Sequence, residues 1–148
     1  MLDDVLTDDR IQFAQRTTWR EAVTLAAAPL LADGSVRAEY VEQILENIAA
    51  PGGTYMDLGF GIALAHARPE AGVDATALAL LVLEEPVALA DDPAHQDSLV
   101  FVLAATDGEA HRGLMAQLAT LLIDAEARTR LTRARSHAEV RAAIAPAR

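Results

Sequence analysis

The sequence predicts a single α/β domain: a mixed central β-sheet of about five strands with helices on both faces. Three observations carry this. Thr76 to Leu83 and Ser98 to Ala105 are nearly continuous apolar runs, as expected of strands covered on both faces. Segments with helical periodicity stand both before and after those runs. The chain has 148 residues, enough for one sizeable core and too few for two ordinary domains. The whole stretch 1–148 is therefore assigned to one domain.

The elements follow in order. Arg10 to Ala14 alternates polar and apolar and reads as a short strand. Thr18-Trp19-Arg20-Glu21 is a capping box that opens a helix running to about Ala32. Its core face is Trp19, Ala22, Val23, Ala26 and Leu30, and Asp33-Gly34 ends it. Ser35 is placed to cap a second helix with Tyr40, Ile44 and Ile48 on one face, and Pro51-Gly52-Gly53 stops it. Thr54 to Met56 and Gly61 to Ala65 read as short strands, followed by the two apolar runs. After Asp107-Gly108, Glu109 to Ile123 is an amphipathic helix with Leu114, Leu118, Leu121 and Leu122 inward. Ala125 to Ala134 forms a shorter helix. Ser136-His137-Ala138-Glu139 is a second capping box, with Val140 and Ile144 facing the core of a terminal helix.

Composition narrows the function. The net charge is −10, which repels phosphate backbones and anionic lipid surfaces and argues against nucleic-acid or membrane binding. All 12 basic residues are Arg, and there is neither Lys nor Cys. Thiolate and Schiff-base chemistry, disulfides, Cys-ligated metals and Walker-type phosphate loops are thereby excluded. Met1-Leu2-Asp3-Asp4 lacks the basic start of an export signal, and the apolar runs are too short to span a bilayer, so a cytoplasmic location is expected. The serines (Ser35, Ser98 and Ser136) lie in no Gly-x-Ser-x-Gly elbow, and Gly59-x-Gly61 is too short for a dinucleotide fingerprint.

Histidine remains as the nucleophile. His137, inside a capping box, reads as plain surface, and His95, in the polar loop Asp91 to Asp97, as solvated loop or a stray metal contact. No His pair has metal-helix spacing, and neither metal nor cofactor is expected. His66 closes the strand-like run Gly61 to Ala65, where a rigid strand hands over to a loop, between the small Ala65 and Ala67. The bland alternative is a satisfied edge histidine. His111 lies in the first turn of the long helix, where backbone N–H groups and the helix dipole favour an anion; the alternative is a surface residue. A neutral imidazole nitrogen is a nucleophile near neutral pH, and a phosphoryl group on it carries about two negative charges needing nearby donors. Two histidines at the ends of different elements, with Arg68 beside one, point to a phosphohistidine site.

These residues also carry a resemblance. Gly61-Ile62-Ala63-Leu64-Ala65-His66-Ala67-Arg68 resembles the Gly-Ile-Ala-x-Pro-His motif of phosphotransferase system enzyme IIA components in the mannitol/fructose superfamily. Asp107 to Leu118 resembles that family's second histidine segment. Thr18 to Val23 and His66-x-Arg68-Pro69-Glu70-x-Gly72-Val73 are most similar to the ascorbate-type branch, as is the lack of an Arg in Ile44-Leu45-Glu46-Asn47. The resemblance implies that His66 accepts a phosphoryl group from the histidine phosphocarrier protein HPr and passes it to the cysteine of a cognate enzyme IIB. The membrane enzyme IIC would be served only indirectly. It implies that His111 hydrogen-bonds the phosphoryl group or orients His66. Arg68 is added from its position as a phosphoryl or partner contact. Three roles stay open: a carrier in uptake of an ascorbate-like sugar, a regulator of the nitrogen-related type, and a binding-only domain. A second copy of the chain is kept as a candidate partner. The one departure from the motif is Ala65 in place of Pro, expected to loosen the backbone before His66 without removing the nucleophile.

Overall fold

A computed structural model describes residues 2–145; Met1 and 146–148, which belong to the expected domain, lie outside the described residues. A single helical turn, α1 (Leu2–Val5), precedes β1 (Ile11–Ala14), α2 (Trp19–Ala32) and α3 (Ala38–Ala49). Four strands follow: β2 (Asp57–Gly59), β3 (Ile62–Ala65), β4 (Ala77–Ala88) and β5 (Gln96–Ala104). The chain ends with α4 (Gly108–Leu122), α5 (Ala125–Arg133) and α6 (His137–Ile144).

The strands make one mixed sheet in the order β1-β4-β5-β3-β2. β1 runs parallel to β4, β3 runs parallel to β5, and the β4–β5 and β2–β3 pairs are antiparallel. The C-terminal ends of β3 and β5 therefore share one edge of the sheet, the edge where sites gather in open α/β sheets.

Alternation along the buried strands sorts the core into two layers. Ala77, Ala79, Leu81, Leu83, Val100, Val102 and Ala104 face α2 and α3. Leu78, Leu80, Val82, Leu99, Phe101 and Leu103 face α4, α5 and α6. Ala22, Ala26 and Ala27 give α2 a small-residue face that packs on the sheet beside Trp19, Val23 and Leu30. Each fully buried Leu or Phe contributes roughly 1.5–3 kcal/mol of transfer free energy.

The Thr18 capping box forms in both directions, with the Glu21 N–H on Thr18 Oγ1 and the Thr18 N–H on Glu21 Oε1. Ser136 Oγ likewise accepts from the Glu139 N–H, whereas the Glu139 carboxylate takes the Arg135 N–H.

Two local expectations are overturned. Thr54 to Met56 is a 3-10 turn over Gly53–Met56, and the edge strand starts at Asp57. Gly53 causes this: a Cβ there would collide with the backbone oxygens of Asn47 and Ile48, so the turn folds back onto the end of α3. Ser35 does not cap α3, whose N-cap is Arg37 without a side-chain bond. Ser35 is buried instead, taking a hydrogen bond from Arg10 at 3.2 Å and giving its N–H to Asp33 at 2.9 Å. β4 also runs past Leu83 to Ala88, with its register against β5 shifted between Val82 and Val87.

Candidate functional site

His66 follows the last residue of β3. Ala65 is buried and pairs in register with Val102, so the strand ladder fixes the backbone immediately before the histidine, where the motif's proline ring is missing. His66 is half-buried, and its Nδ1 lies 2.9 Å from the Leu64 carbonyl oxygen. A carbonyl only accepts, so Nδ1 carries the proton and the neutral ring keeps its lone pair on Nε2. That is the arrangement a nucleophilic imidazole needs.

His111 reaches the same place from the other parallel strand. β5 ends at Ala104, and Asp107 caps α4 by accepting the Ala110 N–H at 2.8 Å. His111 is the fourth residue of that helix and half-buried. Its ring centroid lies 6.0 Å from that of His66, with the planes tilted by 52°. The two histidines, 45 positions apart (111 − 66), thus meet at the shared strand edge. Tyr55, 60% exposed, stands edge-on to His66 on another side, with centroids 6.0 Å apart and an interplanar angle of 84°.

Tyr40 lies beneath this pair. It sits on α3 with no exposed surface, and its hydroxyl donates to the Leu103 carbonyl at 2.6 Å while accepting the Ala67 N–H at 3.1 Å. Burial pushes its pKa above the usual tyrosine value, partly offset by its hydrogen bond to the Ala67 backbone. The hydroxyl therefore stays protonated.

Arg68 does not join the histidines through any hydrogen bond or ion pair. It is exposed and lines a surface groove with Gln43, Asn47, Pro69 and Glu70. Gln43 donates to Asn47 one turn along α3 at 2.8 Å. Position 68 therefore faces α3.

The other histidines are bound into the fold. His95 is not a free loop residue: its Nδ1 lies 2.6 Å from Asp57 Oδ2, tying the β4–β5 connection to the edge strand. His137 Nε2 lies 2.9 Å from the Ile11 carbonyl, and the ring packs edge-on against Phe13. Among the described residues, no three His, Asp or Glu side chains are grouped to hold a metal ion.

Asp97 is the group that the sequence hid. It has no exposed surface, and neither carboxylate oxygen has a hydrogen-bond donor among the described residues. Burial, then the hydrogen bond to Asp57 and the charge of Asp57, push its pKa up to about 8. Asp57 moves the opposite way: burial would raise it, but hydrogen bonds with Asp97, His95 and the Gly59 N–H outweigh that and hold it below the usual value. The buried position and the neighbouring Asp57 charge both favour the protonated form of Asp97. Gly59, Phe60 and Gly61 all have positive φ (87°, 58° and 78°), so Gly59-x-Gly61 is the tight turn between β2 and β3. Arg128 lies over the exposed Phe60 ring at 4.0 Å.

Comparison with known proteins places the chain in a family. Residues 4–146 match the family model described as phosphoenolpyruvate-dependent sugar phosphotransferase system, EIIA 2. The chain is 33% identical over 129 residues to the ascorbate-specific PTS system EIIA component of Escherichia coli, an alignment covering 86% of this chain and 82% of that one. It superimposes on the mannitol-specific cryptic phosphotransferase enzyme IIA CmtB of Escherichia coli with a TM-score of 0.87 and 28% identity, covering 97% of each chain. A third similar structure is Escherichia coli enzyme IIA of the mannitol system in complex with phosphorylated enzyme IIB, with a TM-score of 0.79 and 26% identity over 94% of this chain and 96% of that one. With a matching model over nearly its full length and a pair of histidines at the edge of a mixed sheet, the chain belongs to the type 2 enzyme IIA family of the sugar phosphotransferase system, whose members are phosphotransferases that pass phosphoryl groups through a histidine.

Proposed function

We propose that the stretch 1–148 is one enzyme IIA domain, in which His66 accepts a phosphoryl group from phosphorylated HPr and passes it to the cysteine of a cognate enzyme IIB. The observation that carries this reading is the bond from His66 Nδ1 to the Leu64 carbonyl, which leaves Nε2 as the free lone pair beside His111. The Nε2 lone pair attacks phosphorus, the donor's P–N bond breaks, and its electron pair stays on the donor nitrogen. Nδ1 keeps its proton and donates it to the Leu64 carbonyl, which helps to bear the positive charge that a phosphorylated imidazole carries. In the second step a thiolate of the partner attacks phosphorus and the P–Nε2 bond breaks, returning its electrons to His66. His111 donates to the phosphoryl oxygens, and Arg68 meets the partner or the phosphoryl group at the groove it lines.

The likeness to an ascorbate-specific relative supports uptake of an ascorbate-like sugar, with the chain working in the cytoplasm and the membrane component reached through enzyme IIB. Among the described residues no helix is long and apolar enough to cross a membrane. The acidic remainder of the surface suits basic protein partners. Incubation with phosphoenolpyruvate, enzyme I and HPr tests the reading. Label is expected on the wild type and absent from His66→Gln; label retained by His66→Gln overturns the assignment. Loss of growth on ascorbate alone in a deletion strain is expected of a transport role, and unchanged growth on it contradicts that role.

A further inference from the structure

The β3–β5 ladder ends one rung early, and a side chain stands in the missing rung. The parallel register pairs Ala65 with Val102. Continued in the same register, the ladder would bring the Ala67 N–H onto the Leu103 carbonyl. Those two groups do not bond each other. The Tyr40 hydroxyl lies between them, accepting from Ala67 at 3.1 Å and donating to Leu103 at 2.6 Å. Its single proton goes to the shorter contact, and the Ala67 carbonyl, at 3.3 Å, is left as a secondary neighbour. The hydroxyl satisfies both orphaned backbone groups while holding the strands apart at the peptide after His66.

We infer that Tyr40 is a positioning residue for phosphoryl transfer: by replacing one ladder rung with its hydroxyl, it sets the angle at which the chain carrying His66 leaves the sheet. This rests on the reading of His66 as the phosphoryl acceptor. The ring that holds the hydroxyl is itself immobile, fully buried with Ile44 and Ile48 on α3 against the sheet. Without the hydroxyl, the rung either closes directly, drawing His66 toward β5, or leaves two unpaired backbone groups under the site. Both outcomes move the imidazole relative to His111.

Tyr40→Phe tests this, since it removes one atom and keeps the packing. Phosphorylated HPr is the donor, and the imidazole nitrogens are followed by 15N NMR. We expect the maximal rate of His66 labelling to fall at least tenfold, with KM for phosphorylated HPr changed less than twofold. We also expect the His66 resonances to move while those of His95 and His137, bonded elsewhere, stay put. Wild-type labelling with an unchanged rate and unchanged His66 resonances in Tyr40→Phe overturns the inference and leaves the acceptor reading intact. A wild type that takes no label overturns both. Should Tyr40→Phe fail to fold, amide exchange in the wild type decides: Ala67 is expected to be protected although it lies past the strand, and exchange as fast as an open loop amide overturns the proposal.

Discussion

His66 Nδ1 lies 2.9 Å from the carbonyl oxygen of Leu64, two residues back in β3. This local bond puts the proton on Nδ1 and leaves the lone pair on Nε2, because the acceptor is a backbone carbonyl and cannot change role. In the proposed reaction the attacking nitrogen is thus set by the geometry at the end of the strand, while the second histidine is supplied by a different element.

His111 should matter for handling the phosphoryl group more than for accepting it. A hydrogen bond to a charged group contributes about 1.5–3 kcal/mol, or roughly 10- to 150-fold. His111→Ala is expected to take label from phosphorylated HPr and to pass it to enzyme IIB, or retain it, at least about tenfold less well. Transfer kinetics in both directions check this; unchanged rates would make His111 structural only.

Arg68 is exposed and has no bonded partner among the described residues, so its removal should leave folding untouched. Arg68→Gln is expected to weaken partner binding or slow phosphoryl transfer severalfold with no change in thermal midpoint. Titration against HPr and enzyme IIB is the check, and equal affinities and rates would end its role as a contact.

The buried acid pair predicts a pH dependence of stability. Asp97 holds its proton up to about pH 8 in the folded chain, whereas an unfolded aspartate releases it near its ordinary value of 3.8. The folded state binds the extra proton, so the contribution is complete below about pH 4 and is lost as pH rises toward 8. In that window the slope approaches about 1.4 kcal/mol per pH unit for one full proton. Asp97→Asn keeps a neutral donor toward Asp57 at every pH. Its melting temperature should exceed that of the wild type by a margin that widens from pH 5 to pH 8, at roughly 2–4 °C per kcal/mol. A margin independent of pH would show that Asp97 does not hold the proton.

Gly53 should resist substitution despite its ordinary-looking place after a proline. Its missing Cβ leaves room for the backbone oxygens of Asn47 and Ile48, and backbone cannot step aside cheaply. Gly53→Ala is expected to destabilise by about 1–3 kcal/mol, and to disturb Tyr55, two residues on. Denaturant unfolding measures it; a change within about 0.5 kcal/mol would contradict the close approach.

How much of this was legible in the sequence varies with the length scale of the cause. The apolar runs of β4 and β5 and the stripe of α2 announce themselves because burial on two faces, or on one, leaves a periodic record. The Thr18 capping box is equally readable, since donor and acceptor sit three residues apart. Ser35 was misread because its partners, Arg10 and Asp33, compete with capping and one of them is distant in sequence. His66 and His111 were each visible as element ends, but their approach to 6.0 Å depends on the β3–β5 pairing. Asp97 looked like one more acid in a polar loop; only the bulged β4–β5 register and the edge strand bury it against Asp57. Tyr40 was legible as core, and the signal for its second role was a hydroxyl in an otherwise aliphatic stripe, which must find partners when buried.

In the proposed carrier the phosphoryl group sits on Nε2 of His66 with Nδ1 still protonated. NMR of the 15N-labelled protein, phosphorylated through HPr and read for nitrogen shifts and phosphorus coupling at each histidine, tests it most directly. Phosphorus coupled to Nε2 of His66 alone, with the Nδ1 proton retained, is the expected result. Phosphorus on Nδ1 of His66, or on His111, would contradict it.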